Sequence, residues 1–318
     1  MTYHGLISIV IPLYHEADNI PPLLERIRES LQALRYELIL VDDGSRDRTV
    51  EAVKKAADGH TKLIVLARNY GQTTAMAAGI AAAMGDYVIT LDGDLQNDPA
   101  DIPRMLHLAE SGNWDVVAGN RANRQDGVVL RKIPSRFANA MIRWFTGVHL
   151  KDYGCTLKVF RRNVAQQLGL YGELHRFIPV LAAMQGARMT QMDVQHHPRV
   201  HGVSKYGLGR VGKVLADLLV VLFLQRYFHR PMRLFAPVAT FSILTGVVTG
   251  FYLLIRLVVN QPTVAVNWLI LIAVLVLAGL MLLAFGLIAE MQMRTYFESE
   301  GKTTYRVRDV FTGGSRLD

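Results

Sequence analysis

Two hydrophobic patterns alternate along the first part of the chain. The run Leu6–Leu13 is apolar and rich in β-branched residues, which is typical of a parallel strand covered on both faces. After it, leucine and isoleucine recur every three or four positions from Leu23 to Leu31, which is the spacing of one helix face. The prolines at the start of this segment are tolerated in the first turn of a helix. The pattern therefore predicts a strand followed by a helix.

The same alternation continues along the chain. It predicts strands at Tyr36–Asp43, Lys62–Ala67, Tyr87–Leu91 and Asp115–Gly119, and helices at about 47–57, 72–83 and 99–111. Strands and helices that take turns in this way favour an α/β fold with a doubly wound, mainly parallel sheet. Ligands of such sheets bind beyond the carboxyl ends of the strands. Five polar residues stand at or just after such ends: Asp42, Asp43, Asp92, Asp94 and Arg121.

The C-terminal third has a different pattern. Two segments, about 234–257 and 267–289, are apolar and long enough to cross a hydrocarbon core of about 30 Å. The alternative is a pair of buried helices in a soluble domain, but core helices rarely stay apolar on every face for that length. Basic residues flank both segments, with Arg226, Arg230 and Arg233 before the first. By the positive-inside rule the two spans form a hairpin with both ends cytoplasmic.

These patterns predict four regions. They are a catalytic domain at 1–210, an interfacial helix next to the membrane at 211–233, the two spans at 234–289, and a cytoplasmic tail at 290–318. Ser135–Gly147 is also amphipathic, so it is predicted either to lie in the headgroup layer or to pack on the sheet. The N-terminal apolar run is too short for a secretory signal and has no basic flank before it.

Composition narrows the possible functions. The net charge of +8 and the isoelectric point near 9.6 suit nucleic acid, an anionic membrane or a phosphorylated substrate. The basic residues surround the predicted cleft and the membrane ends rather than one recognition element, which argues against nucleic-acid binding. Cys155 is the only cysteine, so an intrachain disulfide and a zinc site of several thiolates are excluded.

The segment Asp92-Gly93-Asp94 carries the strongest local chemical signal. Two carboxylates that follow a strand offer the hard oxygen ligands preferred by Mg²⁺ or Mn²⁺. The glycine between them would let a diphosphate approach the backbone closely. An Asp-x-Asp motif alone often marks a solvated turn, but here several other polar residues follow neighbouring strands. The pattern therefore predicts a divalent-metal site.

Taken together, the motifs resemble the inverting GT-A glycosyltransferases that make polyprenyl-phosphate sugars, the dolichol-phosphate mannose synthase type. The resemblance covers nearly the whole chain and is greatest to the bactoprenol (undecaprenyl-phosphate) glucosyltransferases. His15 is a departure, since the family more often has asparagine there. The motifs are Pro12-Leu-Tyr14-His-Glu16-x-x-Asn19, Val41-Asp42-Asp43-Gly44-Ser45-x-Asp47, Leu91-Asp92-Gly93-Asp94-Leu95-Gln96, Gly119-Asn120-Arg121, Leu174-His-Arg-Phe-Ile-Pro179 and His201-Gly-Val-Ser204-Lys205-Tyr206-Gly.

The resemblance implies a role for each group of site residues. Those implied to bind the nucleotide sugar are Pro12, Tyr14, Glu16, Val41, Asp43, Asp92, Gly93, Gln96 and Arg199. Those implied to hold the metal are Asp92, Asp94 and Gln96. Those implied to bind the lipid phosphate are Arg121, Arg131, Ser135 and Lys205. Those implied to act in catalysis are Asp94, Arg121 and Asp152, the last as an orienting group or a proton acceptor.

The expected activity is transfer of glucose from UDP-glucose to undecaprenyl phosphate, with inversion, at the bacterial inner membrane. A lipid phosphate is largely anionic at neutral pH, so a dedicated general base is optional. Other UDP-hexoses, GDP-mannose and a modified pentose remain open as donors. A processive polysaccharide synthase is disfavoured because its Gln-x-x-Arg-Trp motif is absent. A non-catalytic nucleotide-binding membrane scaffold is the alternative from another class, and self-association is compatible with either.

Overall fold

The computed structural model describes residues 3–122, 142–144, 146–172, 174–198, 222–223, 227, 231–259, 266–298, 307–312 and 315–317. Two compact units make up the chain. The first comprises Met1–Val221 with Thr303–Asp318, and the second comprises Leu222–Lys302. The first unit contains all of the strands described below. The second contains the two long apolar helices.

The strands of the first unit form one mixed sheet. They are β1 (Leu6–Leu13), β2 (Arg35–Asp42), β3 (Thr61–Leu66), β4 (Tyr87–Thr90), β5 (Val116–Asn120), β6 (Lys158–Arg161), β7 (Met189–Asp193), β8 (Val307–Thr312) and β9 (Ser315–Leu317). Within the described residues their order is β7-β5-β6-β4-β1-β2-β3-β8-β9. Strands β1 to β4 pair in parallel at the centre, as predicted. Strand β6 runs antiparallel between β4 and β5, and it was not predicted.

Helices connect these strands. In the first unit they are α1 (Ile20–Ser30), α2 (Thr49–Ala56), α3 (Gln72–Ala81), α4 (Ile102–Ser111), α5 (Arg162–Gln166) and α6 (Ile178–Met184). The predicted alternation of strands and helices up to β5 is confirmed, with ends that differ by a few residues. The helix expected at about 99–111 begins with a short 3-10 turn at Pro99–Asp101 before α4.

The core lies on both faces of the sheet, which explains the continuous apolar composition of β1. Every second residue from Ile7 to Leu13 joins the cluster that also buries apolar residues of α1, α2 and α4. The opposite face packs against α3. A Cβ at Gly79 of α3 would lie 2.3 Å from Val10 Cγ1 and 3.1 Å from Val41 Cγ2. Because only a hydrogen fits there, α3 lies close to the sheet and its N-terminus is fixed near the carboxyl ends of the strands.

The second unit is a pair of antiparallel apolar helices, α7 (Met232–Val258) and α8 (Val266–Glu298). Both are long and apolar enough to cross a membrane. Small residues such as Gly246 and Gly279 bring the backbones together, and the Ser242 hydroxyl donates to the Leu275 carbonyl at 2.7 Å. Their other apolar side chains are largely exposed, for example Phe241 at 74%. This matches a transmembrane hairpin rather than the covered helices of a soluble core.

The C-terminal segment contributes to the sheet of the first unit. It was predicted simply as a tail, but β8 pairs antiparallel with β3 and is followed by β9. The sheet therefore extends beyond β3, whereas the strands predicted in the first 120 residues would make β3 an edge strand. The helix that contains the second predicted span, α8, continues to Glu298, and its part that is apolar enough to cross a membrane is Val266–Gln292.

Candidate active site

The nucleoside residues implied by the sequence come together where β1 and β2 end. Pro12 of β1 and Val41 of β2 are register partners, and the Asp43 amide donates to the Leu13 carbonyl at 2.8 Å. The two strands therefore deliver the segments Tyr14–Glu16 and Asp42–Ser45 to one place. One oxygen of Asp42, Oδ1, is buried and has no hydrogen-bond partner among the described residues. A ligand hydroxyl or N–H group is the kind of partner that such an oxygen accepts.

Asp43 holds a loop that the sequence analysis did not single out. Its two carboxylate oxygens accept from the amides of Tyr70 and Gly71 at 2.7 and 2.9 Å. Burial raises the pKa of Asp43, while these two backbone bonds oppose the rise. The neighbouring Gly44 has φ of +70°, and a Cβ there would lie 2.4 Å from the backbone of Arg68. Asp43 therefore fixes the β3–α3 loop beside the residues that the sequence implies bind the nucleoside.

The motif from Pro12 to Asn19 lies at the same end of the strands. The Tyr14 and His15 rings stack with centroids 4.1 Å apart, and the Glu16 carboxylate accepts from the Asn19 side-chain amide at 2.6 Å. His15 has φ of +54°, a left-handed conformation in which asparagine and histidine are enriched. The substitution of histidine for the family's asparagine is thus compatible with the backbone. On the facing loop, the Arg68 guanidinium lies 4.9 Å from the Tyr70 ring centroid.

The two predicted metal carboxylates differ in their surroundings. Asp92 accepts from the Gln72 amide at 2.8 Å on one oxygen and from the Thr156 hydroxyl at 2.6 Å on the other. Burial, and then the charge of Asp94, raise the pKa of Asp92 to about 6. Asp94 accepts from the Gln96 backbone amide at 3.2 Å. Asp92 is thus held from two sides by side chains that the sequence analysis did not identify.

The turn that directly follows Asp94 contains a residue in a left-handed conformation. Leu95 has φ of +62°, and its side chain is buried in the core at 2% exposure. Asp94 and Gln96 on either side are only partly buried. A leucine in this conformation is uncommon and is typical of a functional turn. Gly93 is also buried, and the space where its Cβ would lie is occupied by Leu13 at 2.6 Å.

A divalent cation fits these residues if a ligand supplies further oxygens. Among the described residues no group of three histidine, cysteine, aspartate or glutamate side chains is arranged to hold a metal. Mg²⁺ and similar cations, however, are commonly bound by one or two carboxylates together with substrate phosphates. The partly buried Asp94 beside Asp92 matches that kind of shared site.

Arg121 and Asp152 form the other half of the site. The Arg121 Nε donates to Asp152 Oδ2 at 2.7 Å and Nη2 donates to Oδ1 at 3.0 Å, a two-point ion pair whose side chains are only 12% and 9% exposed. Burial lowers the pKa of Arg121, but the pair with Asp152 outweighs it and raises the pKa overall. Asp152 therefore orients a permanently charged guanidinium, and its oxygens are already engaged.

The loop after Asp94 is joined to the segment that follows β7. The His197 amide donates to the Gln96 carbonyl at 2.8 Å, and the His197 ring lies 2.8 Å from Asp98 Oδ2. The Gln195 amide donates to Asp101 Oδ2 at 2.6 Å. The loop after Asp94 is thereby tied to the chain just before Arg199, which the sequence implies binds the donor.

Four of the implied site residues lie outside the described residues: Arg131, Ser135, Arg199 and Lys205. So does most of the two stretches predicted to be interfacial, at 135–147 and 211–233. Trp144 is described, and it is 80% exposed, which is unusual for a large aromatic side chain.

Comparison with known proteins identifies the family. Residues 8–169 match the sequence profile described as Glycosyl transferase family 2, which spans the strands and loops that build this site. The chain belongs to this family. Among solved structures, this glycosyltransferase shares its fold with glucosyl-3-phosphoglycerate synthase from Mycobacterium tuberculosis. The TM-score is 0.53 at 19% identity, over 70% of this chain and 80% of that one. Another crystal structure of that enzyme contains Mn²⁺, uridine diphosphate and glucosyl-3-phosphoglycerate, with a TM-score of 0.51.

Two curated relatives cover almost the whole glycosyltransferase. Dodecaprenyl-phosphate galacturonate synthase from Rhizobium johnstonii is 41% identical over 98% of this chain and 94% of its own length. Undecaprenyl-phosphate 4-deoxy-4-formamido-L-arabinose transferase from Yersinia pestis is 39% identical over 96% of this chain and 93% of its own length. The predicted resemblance to polyprenyl-phosphate glycosyltransferases is confirmed.

Proposed function

We propose that this enzyme transfers a sugar from a UDP-linked donor to a polyprenyl phosphate, with inversion at the anomeric carbon. In this reaction the bond from the anomeric carbon to the UDP oxygen breaks, a bond to an oxygen of the lipid phosphate forms, and UDP leaves. The observation that carries the proposal is the segment Asp152–Thr156. It contacts Arg121 at one end and Asp92 at the other, so a cation suited to phosphate and the metal carboxylates are neighbours.

Different residues would bind the two anions, which are the lipid phosphate and the diphosphate of the donor. Arg121, held in place by Asp152, would pair with phosphate oxygens through charge-assisted hydrogen bonds. Asp94, with Asp92 and Gln96 beside it, would hold a divalent cation, which when bound stabilises negative charge on the leaving diphosphate. The region of Pro12, Tyr14 and Val41, with Asp43 fixing the adjacent loop, would receive the nucleoside.

The engagement of Asp152 supports a mechanism without a dedicated base. Both of its oxygens accept from Arg121, and Oδ1 also accepts from the Gly154 amide at 3.0 Å. A carboxylate used in this way is suited to orientation more than to proton transfer. A phosphate monoester has its second pKa near 6, so the lipid phosphate is already a nucleophilic anion at neutral pH. The site must instead supply positive charge that offsets the repulsion between the lipid phosphate and the donor diphosphate.

For the sugar itself, two candidates have specific support. UDP-glucose follows from the resemblance of the motifs to bactoprenol glucosyltransferases. UDP-galacturonic acid follows from the relative of 41% identity, whose name specifies galacturonate. The formamido-arabinose of the other relative is a modified pentose and belongs in the same donor panel.

We place the enzyme in the bacterial inner membrane with its catalytic unit in the cytoplasm. The chain leaves the first unit before Leu222 and re-enters it at Thr303, so the segments that precede and follow the second unit belong to one folded unit. Two spans whose flanks share a unit must enter and leave on the same side of the membrane. The basic residues beside the spans favour the cytoplasmic side. The segment 211–233 would be the interfacial helix that connects the two.

The test uses purified full-length protein in detergent with Mn²⁺ and a panel of radiolabelled nucleotide sugars. We expect label to enter the lipid phase when undecaprenyl phosphate is present, and not when it is replaced by undecaprenol. The variant Asp94→Asn serves as the inactive control. Transfer to undecaprenol would overturn the phosphate acceptor, and nucleotide binding without any transfer would favour the scaffold alternative.

A further inference from the structure

Lys158 is a buried charge that has no role in the reaction proposed so far. Lys158 is only 2% exposed, whereas lysine is almost never fully buried unless it is paired. It is the first residue of β6, in register with Thr90 of β4 and Ala118 of β5. Those two strands lead to Asp92 and to Arg121. Lys158 therefore lies on the strand between those that lead to the two halves of the site.

The described contacts of Lys158 point toward the site. Its Nζ donates to the Cys155 carbonyl, which belongs to the segment Asp152–Thr156. Burial lowers the pKa of Lys158, while the nearby acidic groups, including Asp152 and Asp92, favour the charged form. An ammonium that merely filled space in the core would be better replaced by an apolar side chain. Its position suggests that it serves the segment that it contacts.

The segment Asp152–Thr156 joins the two halves of the site through hydrogen bonds at both of its ends. It has no regular secondary structure, yet its hydrogen bonds define the site. The Thr156 hydroxyl donates to Asp92 at 2.6 Å, and the Thr156 carbonyl accepts from the Thr90 hydroxyl at 2.6 Å. At the other end Asp152 holds Arg121. The Cys155 carbonyl lies between these two ends, so its direction affects both.

We propose that Lys158 is a positioning residue for sugar transfer, which fixes the segment Asp152–Thr156 through the Cys155 carbonyl and so aligns Asp92 with Arg121. This inference rests on the proposed function. Lys158 does not touch the substrates and acts through the segment that does. Misplacement of about 1 Å at a reacting group is sufficient to lower a rate by about 100-fold.

The experiment compares five variants of the full-length protein with wild type. Lys158→Met removes the charge but keeps an unbranched side chain that is one atom shorter, and Lys158→Arg keeps a cation. Thr156→Val removes the hydroxyl at the other end of the link and is made alone and together with Lys158→Met. Lys55→Met, on the exposed surface of α2, is the matched control for loss of one lysine charge. Each protein is assayed for kcat, for the KM of both substrates, for binding of Mn²⁺ with UDP by calorimetry, and for Tm.

For Lys158→Met we expect kcat to fall by about 10- to 100-fold while Tm stays within a few degrees of wild type. Lys158→Arg should recover part of the loss, and Lys55→Met should match wild type. The double variant should be about as impaired as the worse single variant, because both changes break one link. If Lys158 only stabilised the fold, Lys158→Met would lower Tm and kcat together. The fold-losses in kcat of Lys158→Met and Thr156→Val would then multiply in the double variant.

Two results would overturn the inference: Lys158→Met with kcat within about twofold of wild type, or a fully multiplicative double variant. The binding measurement separates this inference from the proposed function. If wild type formed no lipid product, the proposed function would fail. The positioning role would then be judged by whether Lys158→Met weakens binding of Mn²⁺ with UDP by about tenfold, and unchanged binding would overturn it.

Discussion

The Arg121–Asp152 pair offers the sharpest test of how the site is held together, through the variant Asp152→Asn. Asparagine keeps the shape and one acceptor oxygen but removes the negative charge. Arg121 would then be a guanidinium at 12% exposure without its counter-charge. Breaking a buried pair by removing one partner destabilises a protein by about 3–5 kcal/mol. Because one oxygen remains, we expect a loss of about 3 kcal/mol, at the lower end of that range.

This loss should be visible as a lower melting temperature of the catalytic unit. For domains of roughly 150–250 residues, 1 kcal/mol corresponds to about 2–4 °C in Tm, so the expected decrease is about 6–12 °C. The measurement is thermal unfolding of the full-length protein in detergent, followed by circular dichroism. The matched control is Asp58→Asn, whose pair with Arg28 has a similar distance of 2.9 Å but side chains that are 44% and 32% exposed. An exposed pair contributes about 0–1 kcal/mol, so the control should shift Tm by no more than about 4 °C.

The same variant separates orientation from proton transfer. If Asp152 orients Arg121, Asp152→Asn should lower kcat and raise the KM for the lipid phosphate. The shape of the pH–rate profile should not change, because no titrating base has been removed. An equal Tm shift in Asp152→Asn and Asp58→Asn would refute the argument from burial. Loss of the acidic limb of the pH profile in Asp152→Asn would instead identify Asp152 as a base.

Three further predictions follow from the metal loop and the C-terminal strands. Asp94→Asn should abolish transfer and the rise in Tm caused by Mn²⁺, a loss of several kcal/mol of charge stabilisation, while the metal-free protein keeps its Tm. Near wild-type turnover would contradict this. Burial raises the pKa of Asp92 to about 6, above its unfolded value of about 3.9. The folded, metal-free protein therefore holds a proton that the unfolded chain has released, and this group favours folding more as the pH falls from about 6 to about 4. A cation held by the neighbouring Asp94 disfavours that proton by its charge, so the rise in Tm with Mn²⁺ should grow from about pH 5 to about pH 7, and a flat response would oppose it. Truncation after Lys302 removes β8 and β9 and exposes the edge of β3, so it should lower Tm and promote association in size-exclusion chromatography. An unchanged elution profile and Tm would show that β8 and β9 are dispensable for the stability of the sheet.

The central sheet and the long helices were predictable because each depends on a local pattern. Strand β1 is buried on both faces and is apolar apart from Ser8, and α1 has apolar residues on one face only. The two spans are longer still, so their composition alone separates them from the rest of the chain. Only the ends differ from the prediction, because caps and frayed turns depend on tertiary contacts.

The antiparallel strands could not be predicted in the same way. Strand β6 has four residues, which is too short for a periodic signal, and its first residue is a lysine. A buried lysine contradicts the usual hydrophobic pattern, so the residues around Lys158 gave no indication of a central strand. Strand β8 pairs with β3 from across most of the chain length, and such pairing depends on contacts that no local window contains.

Within the site, the sequence identified residues with conspicuous side chains and missed partners that act through the backbone. Asp43 was predicted to bind the nucleotide, but its described partners are the amides of Tyr70 and Gly71. Any residue type other than proline provides such an amide, so the identities of Tyr70 and Gly71 do not reveal that their amides bind Asp43. A usable signal did exist, since the residues from Arg68 to Gln72 directly follow a predicted parallel strand, where ligand-binding loops are expected.

The two carboxylates of the Asp92-Gly93-Asp94 motif look equivalent in the sequence, and the structure separates them. Asp92 already accepts two side-chain hydrogen bonds, from the start of α3 and from the segment before β6. A cation that took both of its oxygens would compete with and weaken the Gln72 and Thr156 contacts, which hold two loops in place. Asp94 follows on a turn whose left-handed Leu95 anchors the backbone in the core. Asp94 is therefore better suited to bind the metal directly, and Asp92 to hold together the loops around it.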